Sequence, residues 1–381
     1  MSWEIVKLCD CCQSIADGDH QAPPKAESGV PFVTISNIDH FNRFDFSDTM
    51  FVPQMYYDKL DKKRKAVKGD VLLSVVGSFG IPVLIKDDTP FVFQRHIAIL
   101  RPNPNIIMPE FLYYTMLSKS FYAQADAYAV GAAQRTISLT SLRKMKIAIP
   151  PLEAQNDIVA ILSQYDSAIE NNNKRIKLLE QMAENLYKEW FVRFRFPDYE
   201  TAKFENGIPM GWNIAKVKVL VNRLPFGTLY KADDTEPSGN VIVIDQSKDA
   251  FVGYHNNEPS HTASVDNPIA IFGDHSCKFQ LMICPFSLSE NVIPYKAKKE
   301  ATTIFLHYSL CRLIETTEYK RHWTELMSKK ILVPPMNLQE RFDEYIKKLL
   351  ENIESLKSQN QNLTTQRDML LPRLMSGKLE V

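Results

Sequence analysis

The chain has no run of 18 apolar residues, and its opening, MSWEIVKLCD, has no basic segment followed by an apolar stretch. Neither membrane insertion nor export is expected, which leaves the cytoplasm as the expected address. It also has no surplus of charge of either sign, because 45 Lys and Arg face 45 Asp and Glu. Nucleic-acid-binding domains usually carry excess positive charge, so such a role here requires charge segregated locally. Cysteine is sparse. Of the six, Cys9, Cys11 and Cys12 are bunched together, unlike the spaced framework of a secreted disulfide protein, and reduced thiols are expected. With His20 they could be drawn as a zinc site, but the second cysteine pair is missing and no metal is expected.

Catalytic signatures are missing as well. Gly377-Lys378 is followed by Leu379 and lacks the upstream glycine of a phosphate-binding loop, so ATP binding is not expected. The pairs Pro23-Pro24, Pro150-Pro151 and Pro334-Pro335 are not preceded by Asn or Asp and followed by an aromatic residue, which excludes an amino-methyltransferase site of that type. Asp233, Asp234 and Glu236 have no companions that would complete a nuclease site and read as a solvated loop. No catalytic residue is expected in this chain.

What is present is an internal repeat. IPPLEAQNDIVAILSQYDSAIENNNKRIKLLE, from Ile149, recurs as VPPMNLQERFDEYIKKLLENIESLKSQNQNLT, from Val333, an offset of 184 residues. A weaker echo precedes each copy, where Trp3 opens WEIVKL and Trp212 opens WNIAKVKVL. Between echo and repeat, VPFVTISNI, DVLLSVVGS, FVFQRHIAIL, VIVIDQS and NPIAIFG read as short strands, and PEFLYYTMLSKSFYAQA and TTIFLHYSLCRLI as helices. The expected fold class is α+β with mixed α/β domains: two similar domains over 1–148 and 198–332, and long helices over 149–197 and 333–381.

Each repeat opens with Pro-Pro, which suits the start of a helix and not its interior. Apolar residues then follow at alternating steps of four and three, the spacing of a coiled-coil seam. In the first copy the seam is Ile158, Leu162, Tyr165, Ile169, Asn172, Ile176, Leu179, Ala183, Leu186 and Trp190. In the second it is Phe342, Ile346, Leu349, Ile353, Leu356, Asn360, Leu363, Arg367, Leu370 and Leu374. Antiparallel pairing with full overlap sets Asn172 opposite Asn360, whereas parallel pairing buries each amide against Leu356 or Ile176. An unpaired buried amide costs about 1–3 kcal/mol, which favours the antiparallel register and an Asn172–Asn360 layer. The same register sets Arg367 opposite Tyr165, over whose ring the guanidinium could lie.

Helix from Ile158 to Trp190 spans about 50 Å at 1.5 Å per residue, roughly one and a half turns of duplex at about 34 Å per turn. Two similar domains on an antiparallel spacer make a pseudo-two-fold ruler for a linear polymer, and double-stranded DNA is the natural one. GAAQRTISLTSLRKMKIAIPPLEAQ (Gly131 to Gln155), LYKEWFVRFRFP (Leu186 to Pro197) and LLPRLMSGKLEV (Leu370 to Val381) resemble, in the right order along the whole chain, the specificity subunits of Type I restriction-modification systems. In the second unit YKRHWTELMSKKILVPP stands where GxxQ precedes the first repeat.

The resemblance implies two target-recognition domains, each reading half of an asymmetric bipartite DNA site. It also implies spacer helices that dock two modification (methyltransferase) subunits, with restriction (endonuclease and translocase) subunits joining the complex. No cofactor is implied for this chain, and S-adenosylmethionine, ATP and Mg belong to the partners.

Phosphate contacts need cations, and base reading needs Arg, Lys, Asn, Gln or Ser presented at a groove. The densest positive run is Lys59, Lys62, Lys63, Arg64, Lys65 and Lys68. Further candidates in the first domain are Gln134 and Arg135, Gln94, Arg95 and His96 inside an apolar run, and Ser36, Asn37, Ser74 and Ser78 at strand ends and loops. In the second domain they are Gln246, Ser247, Lys248, Tyr254, His255, His275, Lys278, Lys320 and Arg321. Three other readings compete: a coiled-coil scaffold binding proteins, a fused enzyme with one catalytic unit, and the recognition subunit of a Type IIB-like system.

Overall fold

The computed structural model describes residues 3–39, 41–132, 134–247, 251–315 and 320–379. The chain divides into two compact units, Met1–Glu170 with Asn360–Val381, and Asn171–Gln359. Each long helix therefore contributes one part to each unit.

The first unit begins with a two-stranded antiparallel ribbon, Glu4–Lys7 against Lys146–Ile149. A four-stranded antiparallel sheet follows in the order Cys12–Asp17, Ile97–Pro102, Val71–Ser74, Pro82–Leu84. A three-stranded mixed sheet is ordered Met50–Val52, Val30–Val33, Val92–Phe93.

Residue alternation in the four-stranded sheet assigns its two faces to two cores. Val71, Leu73, Ala98 and Leu100 face a core shared with the helix Pro109–Leu117 and both long helices. Leu72, Ile97 and Ile99 face a second core shared with Phe91, Phe93 and Val33. A strand buried on both faces needs an unbroken apolar run, and VLLS and IAIL supply it.

The second unit repeats this plan. Its ribbon is Asn213–Lys216 against Lys330–Val333. Its sheets run Val221–Arg223, Val292–Ala297, Ile269–Gly273, Phe279–Met282, and Phe251–His255, Val241–Ile244, Phe286–Leu288. Ala270, Phe272, Ile293 and Tyr295 again face the helical core, and Ile269, Ile271 and Val292 the other.

Two local expectations are corrected. PEFLYYTMLSKSFYAQA is not one helix but two, Pro109–Leu117 and Lys119–Tyr128, because Ser118 turns extended and its hydroxyl accepts from Phe121 N–H at 3.2 Å. FVFQRHIAIL is not one strand, since Val92–Phe93 and Ile97–Pro102 belong to different sheets. Gln94, Arg95 and His96 form the turn between them, where polar side chains interrupt the apolar run.

The central helix covers Leu152–Tyr187 and continues as a π-turn over Lys188–Val192. That wider turn lets two consecutive aromatic residues, Trp190 and Phe191, both fall to 6% exposure. The C-terminal helix covers Met336–Met375. Every seam position of both heptad patterns is buried or half-buried, Asn172 and Asn360 among them.

Within each unit the two helices run antiparallel. In the first, Ile158 and Leu162 share a core with Leu371 and Leu374, and Arg367 meets Asp166 at 2.7 Å. Just past the end of the C-terminal helix the chain turns at Gly377, in the left-handed region at φ +66°, where a Cβ would lie 3.1 Å from the Trp3 indole. In the second, Trp190 packs on Phe342 at 5.9 Å near the start of the C-terminal helix. The expected Arg367–Tyr165 contact is replaced by the ion pair with Asp166, because a charge-assisted hydrogen bond in a half-buried place outweighs a ring face.

Candidate nucleic-acid interface

Antiparallel order brings one end of four strands together. At that end of the first unit's sheet the chain leaves Asp17, Ser74 and enters Pro82, Ile97, so the intervening loops all emerge side by side. Backbone hydrogen bonds of 2.9 Å stitch them: Val75 N–H to His96 O, Gly77 N–H to Arg135 O, and Ile137 N–H to Val75 O. Arg95 N–H reaches Asp19 O at 3.0 Å. Gln94, Arg95, His96, Ser78, Gln134 and Arg135 are thereby gathered at one sheet end.

Their environments differ. Arg95, Ser78 and Gln134 are exposed. Arg135 lies 5.2 Å over the Phe79 ring and pairs with Asp126, which fixes its direction. Asp19, 8% exposed, accepts the Tyr56 hydroxyl and lies 3.8 Å from Arg64, so it ties the basic turn Lys62–Arg64 to this end. Burial and the bond to Asp19 push the Tyr56 hydroxyl up to about 12. Lys62 and Lys63 are exposed and, among the described residues, take part in no ion pair. Lys65 turns away, donating to Asp58 O at 3.0 Å with its amine 4.8 Å over Tyr57.

Three candidates prove to be framework. Ser74 is fully buried, and its hydroxyl accepts from Ile81 N–H at 2.9 Å, closing the loop it begins. Asn37, 9% exposed, accepts from Thr34 N–H at 2.9 Å and donates to Asp48 O at 3.2 Å. His255, 4% exposed, stacks on Tyr230 with centroids 4.1 Å apart. Its Nδ1 accepts from Asn257 N–H at 3.1 Å, so the proton sits on Nε2, 2.9 Å from Ser287 Oγ. Polar residues beside apolar runs looked like groove-facing groups, but each instead satisfies buried backbone or side-chain partners. Ser36 is exposed and bonded to the Thr34 hydroxyl, and Tyr254 is half-buried.

The second unit assembles the same end from different residues. Gln246 accepts from His275 N–H at 3.0 Å, Lys278 donates to Ser247 O at 2.7 Å, and His275 Nδ1 lies 3.1 Å from Lys320 O. Arg321 approaches Asp274 at 3.9 Å. Lys248 lies outside the described residues. Although GxxQ is absent, the stitching recurs: Asp274 N–H donates to Asn291 O, and His322 N–H to Asp274 O, each at 2.9 Å. The Asp274 carboxylate also accepts from His322 and Trp323 N–H at 3.0 and 2.8 Å, anchoring the helix that follows. Asp19 and Asp274 were not singled out from sequence; their signal was an acidic residue one or two positions beyond a strand end.

These loop ends offer guanidinium, amine, amide and hydroxyl donors, the set that phosphates and base edges accept from. No group of three or more His, Cys, Asp or Glu positioned for a metal occurs among the described residues. All six cysteines are free thiols, and no helix is long and apolar enough to cross a membrane among the described residues.

Comparison with known proteins gives a consistent picture. Residues 2–181 match the family model of the Type I restriction modification DNA specificity domain. The MjaX specificity subunit of Methanocaldococcus jannaschii is 25% identical over 411 residues, covering 100% of this chain and 94% of the relative. The HindI specificity subunit of Haemophilus influenzae is 31% identical over 136 residues, 35% of this chain and 30% of the relative. The crystal structure of the Type I restriction-modification S subunit from M. genitalium has the same fold, with a TM-score of 0.53 at 16% identity over 98% of this chain and 96% of that one.

Proposed function

We propose that the chain is a specificity subunit of a Type I restriction-modification system, the family whose domain model and relatives it matches, and that its two units each read one half of an asymmetric bipartite site in double-stranded DNA. The observation that carries this reading is the duplicated sheet end, where the same backbone stitching presents two different sets of donors. One framework with different tips suits a site whose halves differ in sequence. Exposed Lys62, Lys63, Arg95 and Gln134 in the first unit, with Gln246, Ser247, Lys278 and Arg321 in the second, are the residues offered to DNA.

The chain supplies recognition and no catalysis. Two modification subunits bring S-adenosylmethionine and the methylating centre, and restriction subunits bring ATP, Mg and cleavage. The complex works in the cytoplasm, where its substrate is.

The test is to co-express the chain with its neighbouring modification subunit and map methylated adenines across the host genome by single-molecule sequencing. A single bipartite motif with a fixed gap and one methylated adenine in each half is the expected result. A stable complex that leaves no motif would overturn the reading in favour of a protein-binding scaffold.

A further inference from the structure

The two ribbons carry a feature that DNA reading does not use. In each, strand alternation turns one face to the core, Val6 and Ile147 in the first unit and Ala215 and Ile331 in the second. The opposite face holds Ile5 beside the facing pair Lys7 and Lys146, and Ile214 beside the facing pair Lys216 and Lys330. Ile5 is 68% exposed and Ile214 65%. All four lysines are exposed, and among the described residues none forms an ion pair.

Like charges directly opposite on a ribbon repel, and an exposed isoleucine gains nothing from water. Both costs are incurred twice, at equivalent positions in two units whose loop ends otherwise differ. The ribbons also lie away from those loops: each leads into its sheet at the Cys12 or Val221 end of a strand whose loop leaves at the Asp17 or Arg223 end. In the first unit the Gln124 side chain covers the main chain of Lys146, accepting from its N–H at 2.6 Å and donating to its carbonyl at 2.8 Å. Strand addition at that point is blocked, and the face is what stays open.

We propose that each ribbon face is a docking surface for one copy of an acidic partner subunit, which sets carboxylates between Lys7 and Lys146, or Lys216 and Lys330, and apolar surface on Ile5 or Ile214. An apolar centre flanked by charge is the anatomy of a protein interface, whereas a phosphate backbone has no use for the isoleucine. The duplicated face calls for two identical copies, and this rests on the family reading, in which two modification subunits are the partners.

The variants Lys7→Glu and Lys216→Glu test it, singly and together, in the chain co-expressed with the modification subunit encoded beside it. Each turns a facing lysine pair into a facing Glu–Lys pair, so the melting temperature is expected to hold or rise. Native mass spectrometry should show two partner copies on the unaltered chain, one retained with at least about tenfold weaker binding of the other in each single variant, and loss of both in the double. A double variant that keeps both copies at unchanged affinity would overturn the proposal. So would intact partner binding with weakened DNA binding by the isolated chain, which would assign the lysines to phosphate. An unaltered chain that captures no modification subunit would sink the family reading of the partners and this proposal with it.

Discussion

Gln155 and Gln339, equivalent positions of the internal repeat, make the same hydrogen bonds from the first turn of their helices. Gln155 accepts from Met108 N–H at 2.9 Å and donates to Ile106 O and Pro150 O, both at 2.9 Å. Gln339 accepts from Thr302 N–H at 2.9 Å and donates to Glu300 O at 3.3 Å and Pro334 O at 2.8 Å. Both are fully buried. Each amide joins a long helix to the loop before a core helix, Pro109–Leu117 or Thr303–Leu310, and so sets the domain on its helix.

Replacing either glutamine by leucine leaves three backbone groups without their side-chain partner, and one of them, the Pro150 or Pro334 carbonyl, is buried. The expected cost is about 1–3 kcal/mol for each variant, read as a lower denaturation midpoint. The loss should be the same in kind for Gln155→Leu and Gln339→Leu, and unchanged stability in either would refute the shared role.

Arg367 and Asp166 form a half-buried pair, with the Tyr114 hydroxyl donating to the second carboxylate oxygen at 2.6 Å. Arg367→Leu should destabilise by about 1–3 kcal/mol, because Asp166 keeps its desolvation without its cation. Combining it with Asp166→Asn should restore part of the loss, and a double-mutant cycle measures the coupling. Strict additivity would show the pair to be inert.

Two buried groups of the second unit make stability depend on pH in opposite directions. Burial lowers His307 from 6.5 to about 4, so its contribution is present above pH 6.5 and is lost as pH falls toward 4. Burial raises Asp343 from 3.8 to about 7, so its contribution is present below pH 3.8 and is lost as pH rises toward 7. Asp343→Asn keeps an acceptor for the Thr302 hydroxyl, now 2.9 Å away, and should raise the melting temperature most above pH 7. His307→Leu should flatten the acid side instead. Calorimetry across the pH range checks both, and parallel curves for variant and parent would reject the assignment.

DNA binding should separate tips from framework. Lys62→Ala with Lys63→Ala, or Arg95→Ala, should leave melting unchanged and reduce the slope of log affinity against log salt by about 0.9 for each phosphate contact removed. Lys278→Ala should weaken one half of the recognised motif by about 1–3 kcal/mol at the affected base if it reads a base edge, leaving the other half intact. Ser74→Ala should lower stability by about 1 kcal/mol, since Ile81 N–H loses its acceptor. Equal effects on binding from tip and framework variants would contradict the division.

The repeat, the heptads and the two-domain plan were legible because they are periodic, and periodicity survives ignorance of everything else. Seam burial follows the heptads through both helices, down to Asn172 at 7% and Asn360 at 8% exposure. The polar candidates were legible only in part. Gln246, Ser247, His275 and Lys278 come together, yet His255, Ser74 and Asn37 look no different in sequence and turn out to hold framework bonds.

By itself the order of residues carried the resemblance to the specificity subunits, the α+β class and the duplicated organisation, since those rest on local spacing and on which residues recur. Tertiary structure alone decided which polar side chains face solvent at the sheet end, that Arg367 chooses Asp166, and that facing lysines recur on both ribbons. Each of these depends on strands or helices far apart in sequence meeting in a particular register, and a shift of one residue would turn every such side chain to the other face.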